Sequence, residues 1–263
     1  MKIYKRTVKS HSFNEDRFVV ANGLFGVIDG ATDLSDKPTI RSRSYASMLA
    51  GGLKKALESC PTCDLSETLL DLSKVCYQAL GDVASCGVSL AQIKGNDVNF
   101  LCLGDCDLLI KYKDGKVQKV KQHELEALDK IAIDQMIEAA RQNGISILDA
   151  RKHVNPLLIK HRSLMNKPNG YNVFEPMENP SFVCLCFTVD ISLIESIIIC
   201  TDGFAQSYTT LDILPSFELL FDKDCSLDAV IEQIINRSKS DPKCNKYPRF
   251  KKIDDITVVK VDF

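Results

Sequence analysis

A chain of 263 residues, 45% hydrophobic and 26% charged, has enough apolar material for one large domain and excludes a disordered chain, a collagen or a disulfide-packed mini-protein. Lys and Arg number 33 against 35 Asp and Glu, a net charge of −2, so no global basic field exists to hold a nucleic acid. Apolar runs fall short of the roughly 18–20 residues a membrane span needs, and Met1-Lys2-Ile3-Tyr4-Lys5-Arg6 leads into polar residues rather than a secretory h-region.

Residues 18–29 read as two β segments around Asn22-Gly23, a hairpin signal. Helices are predicted over 41–58 and 65–80. The second opens at Asp64 or Ser66 and sets Leu69, Leu70, Leu72, Val75 and Leu80 along one face. Residues 84–120 read as a β meander with pieces at 86–93, 98–103, 108–112 and 117–120, turning at Gly95-Asn96-Asp97 and Asp114-Gly115. The stretch 123–165 is helical in period, with Ile131, Ile133, Met136 and Ile137 on one side and Gly144 as a break. A loop follows at 166–180, then β segments at 181–190 and 195–201, a helix at about 226–238 and an alternating strand at 256–261. Strands near both ends with helices between the β groups predict one interleaved α+β domain. The 11 cysteines are an odd number, and Cys102, Cys184, Cys186 and Cys200 sit in apolar runs. They read as reduced thiols of a cytoplasmic protein.

Asp-Gly occurs three times. Asp114-Gly115 lies between two short strands, where a hairpin turn accounts for it. The other two differ. Phe25-Gly26-Val27-Ile28 runs straight into Asp29-Gly30, and Ile197-Ile198-Ile199-Cys200-Thr201 into Asp202-Gly203. Each carboxylate therefore emerges where a core strand reaches a sheet edge. Asp254-Asp255 opens the last strand, and Asn14-Glu15-Asp16 precedes the first hairpin. If the sheets bring those ends together, the carboxylates repel, and a hard divalent cation such as Mg²⁺ or Mn²⁺ relieves the repulsion. Ordinary turn or cap roles remain the alternative for each acid.

The order Asn14-Glu15-Asp16, Gly26-Val27-Ile28-Asp29-Gly30, Gly87-Val88-Ser89-Leu90-Ala91, Leu103-Gly104-Asp105-Cys106, Cys200-Thr201-Asp202-Gly203 and Asp254-Asp255-Ile256-Thr257-Val258 resembles the metal-dependent type 2C protein phosphatase family. The match runs from about residue 11 to the C-terminus. The resemblance implies a four-layer α-β-β-α sandwich of two packed, mainly antiparallel sheets, formed by residues 1–263 as one domain. A variable helical insert occupies about 123–180. It implies two divalent cations, Mg²⁺ or Mn²⁺, with Asp29 bridging both, the Gly30 carbonyl on one, and Asp202 and Asp254 on the other. Glu15 and Asp16 would orient waters, and Asp105 matches the acid of the family's Gly-Asp-Ser stretch. The implied reaction is hydrolysis of phosphoserine or phosphothreonine on a phosphorylated protein by a metal-bridged hydroxide, performed by a monomer with neither nucleic-acid nor membrane partners.

Departures from the family pattern are specific. His11 stands where the family has an Arg for the substrate phosphate, and imidazole is a weaker, pH-dependent substitute. Lys9 and Arg17 are the other candidates for that phosphate. Gln206 and Gln122-His123 replace acids that serve a third cation in some members, so that ion is expected to be weak or missing. These changes keep an alternative in view: a weakly active or inactive phosphatase fold acting as a phosphoprotein-binding or interaction module. Cys60-Pro-Thr-Cys63 lacks a second pair at zinc-site spacing. Seven basic residues between Arg237 and Lys252, against Asp241 alone, lead into Asp254 and are expected to attract acidic substrate.

Overall fold

The computed structural model describes residues 1–10, 12–31, 41–81 and 84–263. Among the described residues, ten strands form two five-stranded antiparallel sheets. One has the order β1 (Lys2–Val8), β10 (Ile256–Asp262), β9 (Ile194–Cys200), β6 (Asp107–Tyr112), β7 (Val117–Val120). The other runs β2 (Arg17–Ala21), β3 (Leu24–Gly30), β4 (Cys86–Lys94), β5 (Asp97–Leu103), β8 (Leu185–Asp190). Helices α1 (Arg41–Ser59) and α2 (Leu65–Leu80) cover the second sheet, while α5 (Asp202–Thr209) and α6 (Leu227–Ser240) cover the first. The four-layer α+β sandwich is the predicted one.

Period-2 alternation builds the layers. On β3, Phe25 and Val27 face the opposite sheet, while Leu24 and Ile28 face the helices. On β9, Ile197 and Ile199 point between the sheets and Ile198 and Cys200 point to α5 and α6. Val259 and Val261 of β10 join the same inter-sheet core. Burying each such side chain is worth about 1.5–3 kcal/mol, so a one-residue slip of register would expose a whole face.

Local signals are met where short-range chemistry decides them. Asn22 and Gly23 both have positive φ, as a two-residue hairpin turn requires. Asp64, rather than Ser66, caps α2 by accepting from Glu67 N–H at 2.9 Å. The predicted 123–165 stretch is two helices, α3 (Glu124–Asn143) and α4 (Ile147–Arg162), broken at left-handed Gly144. They pack on each other through Ala132, Met136, Ala140, Ala150, Val154 and Leu158, a core separate from the sandwich, with Phe250 against it. The predicted β segment at 181–190 forms only from Leu185 onward. Among the described residues no helix is long and apolar enough to cross a membrane.

Candidate functional site

Alternation along β3 places Asp29 after Phe25 and Val27 on the inter-sheet side, where the apolar core ends at the sandwich edge. Opposite it, β9 ends at Cys200 and the chain turns through Thr201 into α5, whose first residue is Asp202. The Asp202 N–H points to Asp29 Oδ2 at 3.4 Å. Close approach demands glycine here: a β-carbon at Gly203 would collide with the Asp255 carbonyl, and one at Gly30 would lie 2.7 Å from the Glu15 carbonyl oxygen.

The acidic segments are tied together by hydrogen bonds. Thr201 Oγ1 donates to Asp16 Oδ2 at 2.8 Å and accepts from Thr257 N–H at 3.0 Å. The two acids before β10 divide their roles. Asp255 accepts from Ser10 N–H (2.7 Å), Ser10 Oγ (2.8 Å) and Glu15 N–H (2.7 Å), which fixes the N-terminal segment against the sheet edge. Asp254 instead receives Lys251 Nζ at 2.6 Å and faces a cleft of about 170 Å³. Asp29, Gly30, Gly87, Asp105, Asp129, Asp202, Lys251 and Asp254 line that cleft, and Arg151, His161 and Arg162 of α4 line it from the insert side.

Burial first, then mutual repulsion, sets the protonation of this cluster. Asp16 is pushed far above the usual carboxylate range by burial and by Asp202, Asp254 and Asp255, against the pull of its Thr201 hydrogen bond. Asp29 is pushed up by burial and by Asp16, Asp202, Asp105 and Asp254. Asp105 and Asp202 are likewise raised, chiefly by burial. Asp129 on α3 is pushed up to about 8, by burial and then by Asp105 and Asp202. Burial disfavours the Lys251 ammonium, yet Asp254, Asp202 and Asp29 together hold its pKa above the ordinary value. Perturbed acids sharing a cleft mark a functional site more often than a structural one.

Of the residues singled out in the sequence, Asp16, Asp29, Asp105, Asp202 and Asp254 are brought within electrostatic reach of one another, with Glu15 against Gly30. His11 lies outside the described residues. Among those described, no three His, Cys, Asp or Glu side chains close into a ligand set. The Arg17 guanidinium donates to the Asn14 carbonyl (2.8 Å), the Asp16 carbonyl and Ser47 Oγ (3.0 Å). Lys9 borders a different hollow. Gln122 bridges Gly104 N–H (3.0 Å) and the Val183 carbonyl (2.9 Å), a structural use.

The basic stretch before Asp254 behaves differently from a uniform attracting surface. Arg249 is buried, donating to Asp241 Oδ2 (3.0 Å) and to the carbonyls of Tyr247 (2.7 Å), Asp241 (2.8 Å) and Lys252 (3.0 Å). Arg237 holds the Leu211 carbonyl and Tyr247 hydroxyl, each at 3.0 Å. Both are braces of the loop, and Lys251 belongs to the acidic cluster. Asp129, Arg151 and Arg162 went unread in the sequence. Their signal is the spacing of Arg151, Leu158 and Arg162, which recur on one face of α4, and of Leu125 and Asp129, one turn apart on α3.

The chain has the α+β sandwich of type 2C phosphatases. Solved structures that share it include the serine/threonine phosphatase Stp1 of Staphylococcus aureus, with TM-score 0.61 at 11% identity over 100% of this chain and 94% of that one. PppA of Pseudomonas aeruginosa, a key regulatory component of its T6SS, gives 0.59 at 16% identity over 100% and 97%. The catalytic domain of the serine/threonine protein phosphatase PstP, solved with two manganese ions, gives 0.59 at 13% identity over 99% and 97%. No protein-family model and no curated protein sequence matches the chain.

Proposed function

We propose that the protein is a divalent-metal-dependent phosphatase of phosphoserine and phosphothreonine on proteins. One observation carries the reading: acids from four chain segments far apart in sequence, Asp16, Asp29, Asp202 and Asp254, meet at one edge of the sandwich with Lys251 as the cation among them. Likeness in fold to phosphatases, one of them holding two manganese ions, supports it.

The donor chemistry fits Mg²⁺ or Mn²⁺: carboxylate oxygens from four chain segments, raised by burial and by one another's charge, outnumber the Cys106 thiol beside them. In this reading Asp29, the Gly30 carbonyl, Asp202 and Asp254 would hold two divalent ions. Two such ions supply Lewis-acid stabilisation of a phosphoryl group and acidify water near neutral pH. The protein's part is placement. Thr201 holds one oxygen of Asp16 and leaves the other for a water, Asp255 fixes the Glu15 backbone, and the Asp202 N–H orients Asp29. A cysteine nucleophile has no place in this scheme. Burial pushes the thiols of Cys86, Cys106 and Cys200 far up, and the neighbouring acids push the same way.

The test is release of inorganic phosphate from phosphoserine and phosphothreonine peptides in Mn²⁺ and in EDTA. Release that EDTA abolishes supports the proposal. A chain that binds such peptides without turnover is instead the interaction module of the alternative reading.

A further inference from the structure

We propose that the α3–α4 insert carries the phosphate-capturing wall of the cleft, with Arg151, His161 and Arg162 of α4 gripping the phosphoryl oxygens of a phosphomonoester. The inference rests on the phosphatase reading of the same cleft and names the residues that select its substrate.

Arg151 and Arg162 are eleven residues apart, three helical turns, so they share one face of α4 about 16 Å apart along its axis, with Leu158 between them. All three line the same cleft as Asp29, Asp202 and Asp254. Arg151 is anchored by one bond, Nη1 to the Phe250 carbonyl at 3.2 Å. Burial weakens its cation most, Asp254 supports it, and Arg162 works against it, so the two guanidiniums feel each other's charge. Two such cations gain from an anion between them, and a guanidinium fork matches a phosphoryl group in two-point geometry.

His161 adds an independent observation. Only 8% of its surface is exposed, it lines the same cleft, and its Nδ1 has no hydrogen-bond partner among the described residues. An orphaned buried ring nitrogen is costly unless a ligand satisfies it. The cleft, at about 170 Å³, exceeds many times the roughly 10–15 Å³ that one water needs on the same measure, which leaves room for a phosphoryl group. Its acidic lining repels a bare phosphate dianion. Capture therefore needs cations on the insert side as well as ions on the carboxylates.

The experiment compares wild type with Arg151→Lys, Arg162→Met and His161→Phe. Inorganic phosphate binding is measured by calorimetry in saturating Mn²⁺, and KM and kcat with p-nitrophenyl phosphate. Arg151→Lys keeps a charge and a donor for Phe250 while losing the fork, so the loop stays braced. Each Arg variant is expected to weaken phosphate binding and raise KM at least about tenfold, with Mn²⁺ affinity unchanged. Phosphate affinity equal to wild type in both Arg variants overturns the inference. If wild type binds phosphate and the Arg variants do not, yet none hydrolyses ester, the wall stands and the phosphatase reading falls. A wild type that binds no phosphate in Mn²⁺ overturns the inference.

Discussion

Lys251 occupies the charge position that a metal ion would compete for, and replacing it with Met has a calculable consequence. Its ammonium lies 2.6 Å from Asp254 Oδ1, a gross attraction of about 6 kcal/mol at an effective dielectric constant of about 20. Desolvation offsets most of that, and hydrogen bonds to charged groups net about 1.5–3 kcal/mol. A divalent cation taking the same oxygen must displace the ammonium, so Lys251 weakens metal binding by that net amount, about ten- to a hundredfold in Kd. Calorimetric titration with Mn²⁺ should therefore show Lys251→Met binding more tightly than wild type by about that factor. Lys251→Arg, which keeps the charge, should stay near wild type. The metal-free Lys251→Met protein should melt earlier and gain more from added Mn²⁺. A folded Lys251→Met variant with unchanged or weaker Mn²⁺ affinity refutes the idea that this lysine and a metal share Asp254.

Two further outcomes follow from the same geometry. Arg249→Met leaves Asp241 buried without its cation at 3.0 Å, a change that costs about 3–5 kcal/mol and should lower Tm by roughly 10 °C; an unchanged Tm would show that the loop is braced otherwise. Asp129 holds a proton in the native state up to about pH 8, whereas unfolded Asp loses it near 3.9. The native protein binds more protons over that window, so the stability of the metal-free protein falls as pH rises from about 4 to 8, by at most about 1.4 kcal/mol per pH unit from this group. Urea unfolding at pH 5 and pH 8 should show the fall, reduced in Asp129→Asn. A rise across the window contradicts the sign.

Patterns of short range were legible in the sequence: the Asn22-Gly23 turn, a cap at Asp64 or Ser66, the Gly144 break and the buried runs leading into Asp29 and Asp202. β1 went unseen because its Lys2, Lys5 and Arg6 break the apolar alternation. It is an edge strand and is held by pairing with β10, from Val8–Ile256 to Lys2–Asp262 at the far end of the chain, rather than by burying its own side chains. α5 (Asp202–Thr209) went unread, because eight residues are too few for a helical period to show. The carboxylates were readable because each lies beside a strand end, Asp29 and Asp202 after buried runs and Asp16 and Asp254 just before strands. The choice between Asp254 and Asp255 was not: adjacent acids differ only in what the fold places beside them, here Lys251 for one and the backbone of Ser10 and Glu15 for the other. The α4 face stayed hidden because Arg151 and Arg162 look like solvated helix charges until the insert is folded over the cleft.

The most direct test of the metal-dependent phosphatase account is hydrolysis of p-nitrophenyl phosphate by wild type and Asp202→Asn, each in Mn²⁺ and in EDTA. The account predicts turnover by wild type in Mn²⁺, abolished by EDTA and reduced at least about a hundredfold by the substitution, which removes one of the carboxylates proposed to hold the ions. Turnover that persists in EDTA, or an Asp202→Asn protein as active as wild type, contradicts it.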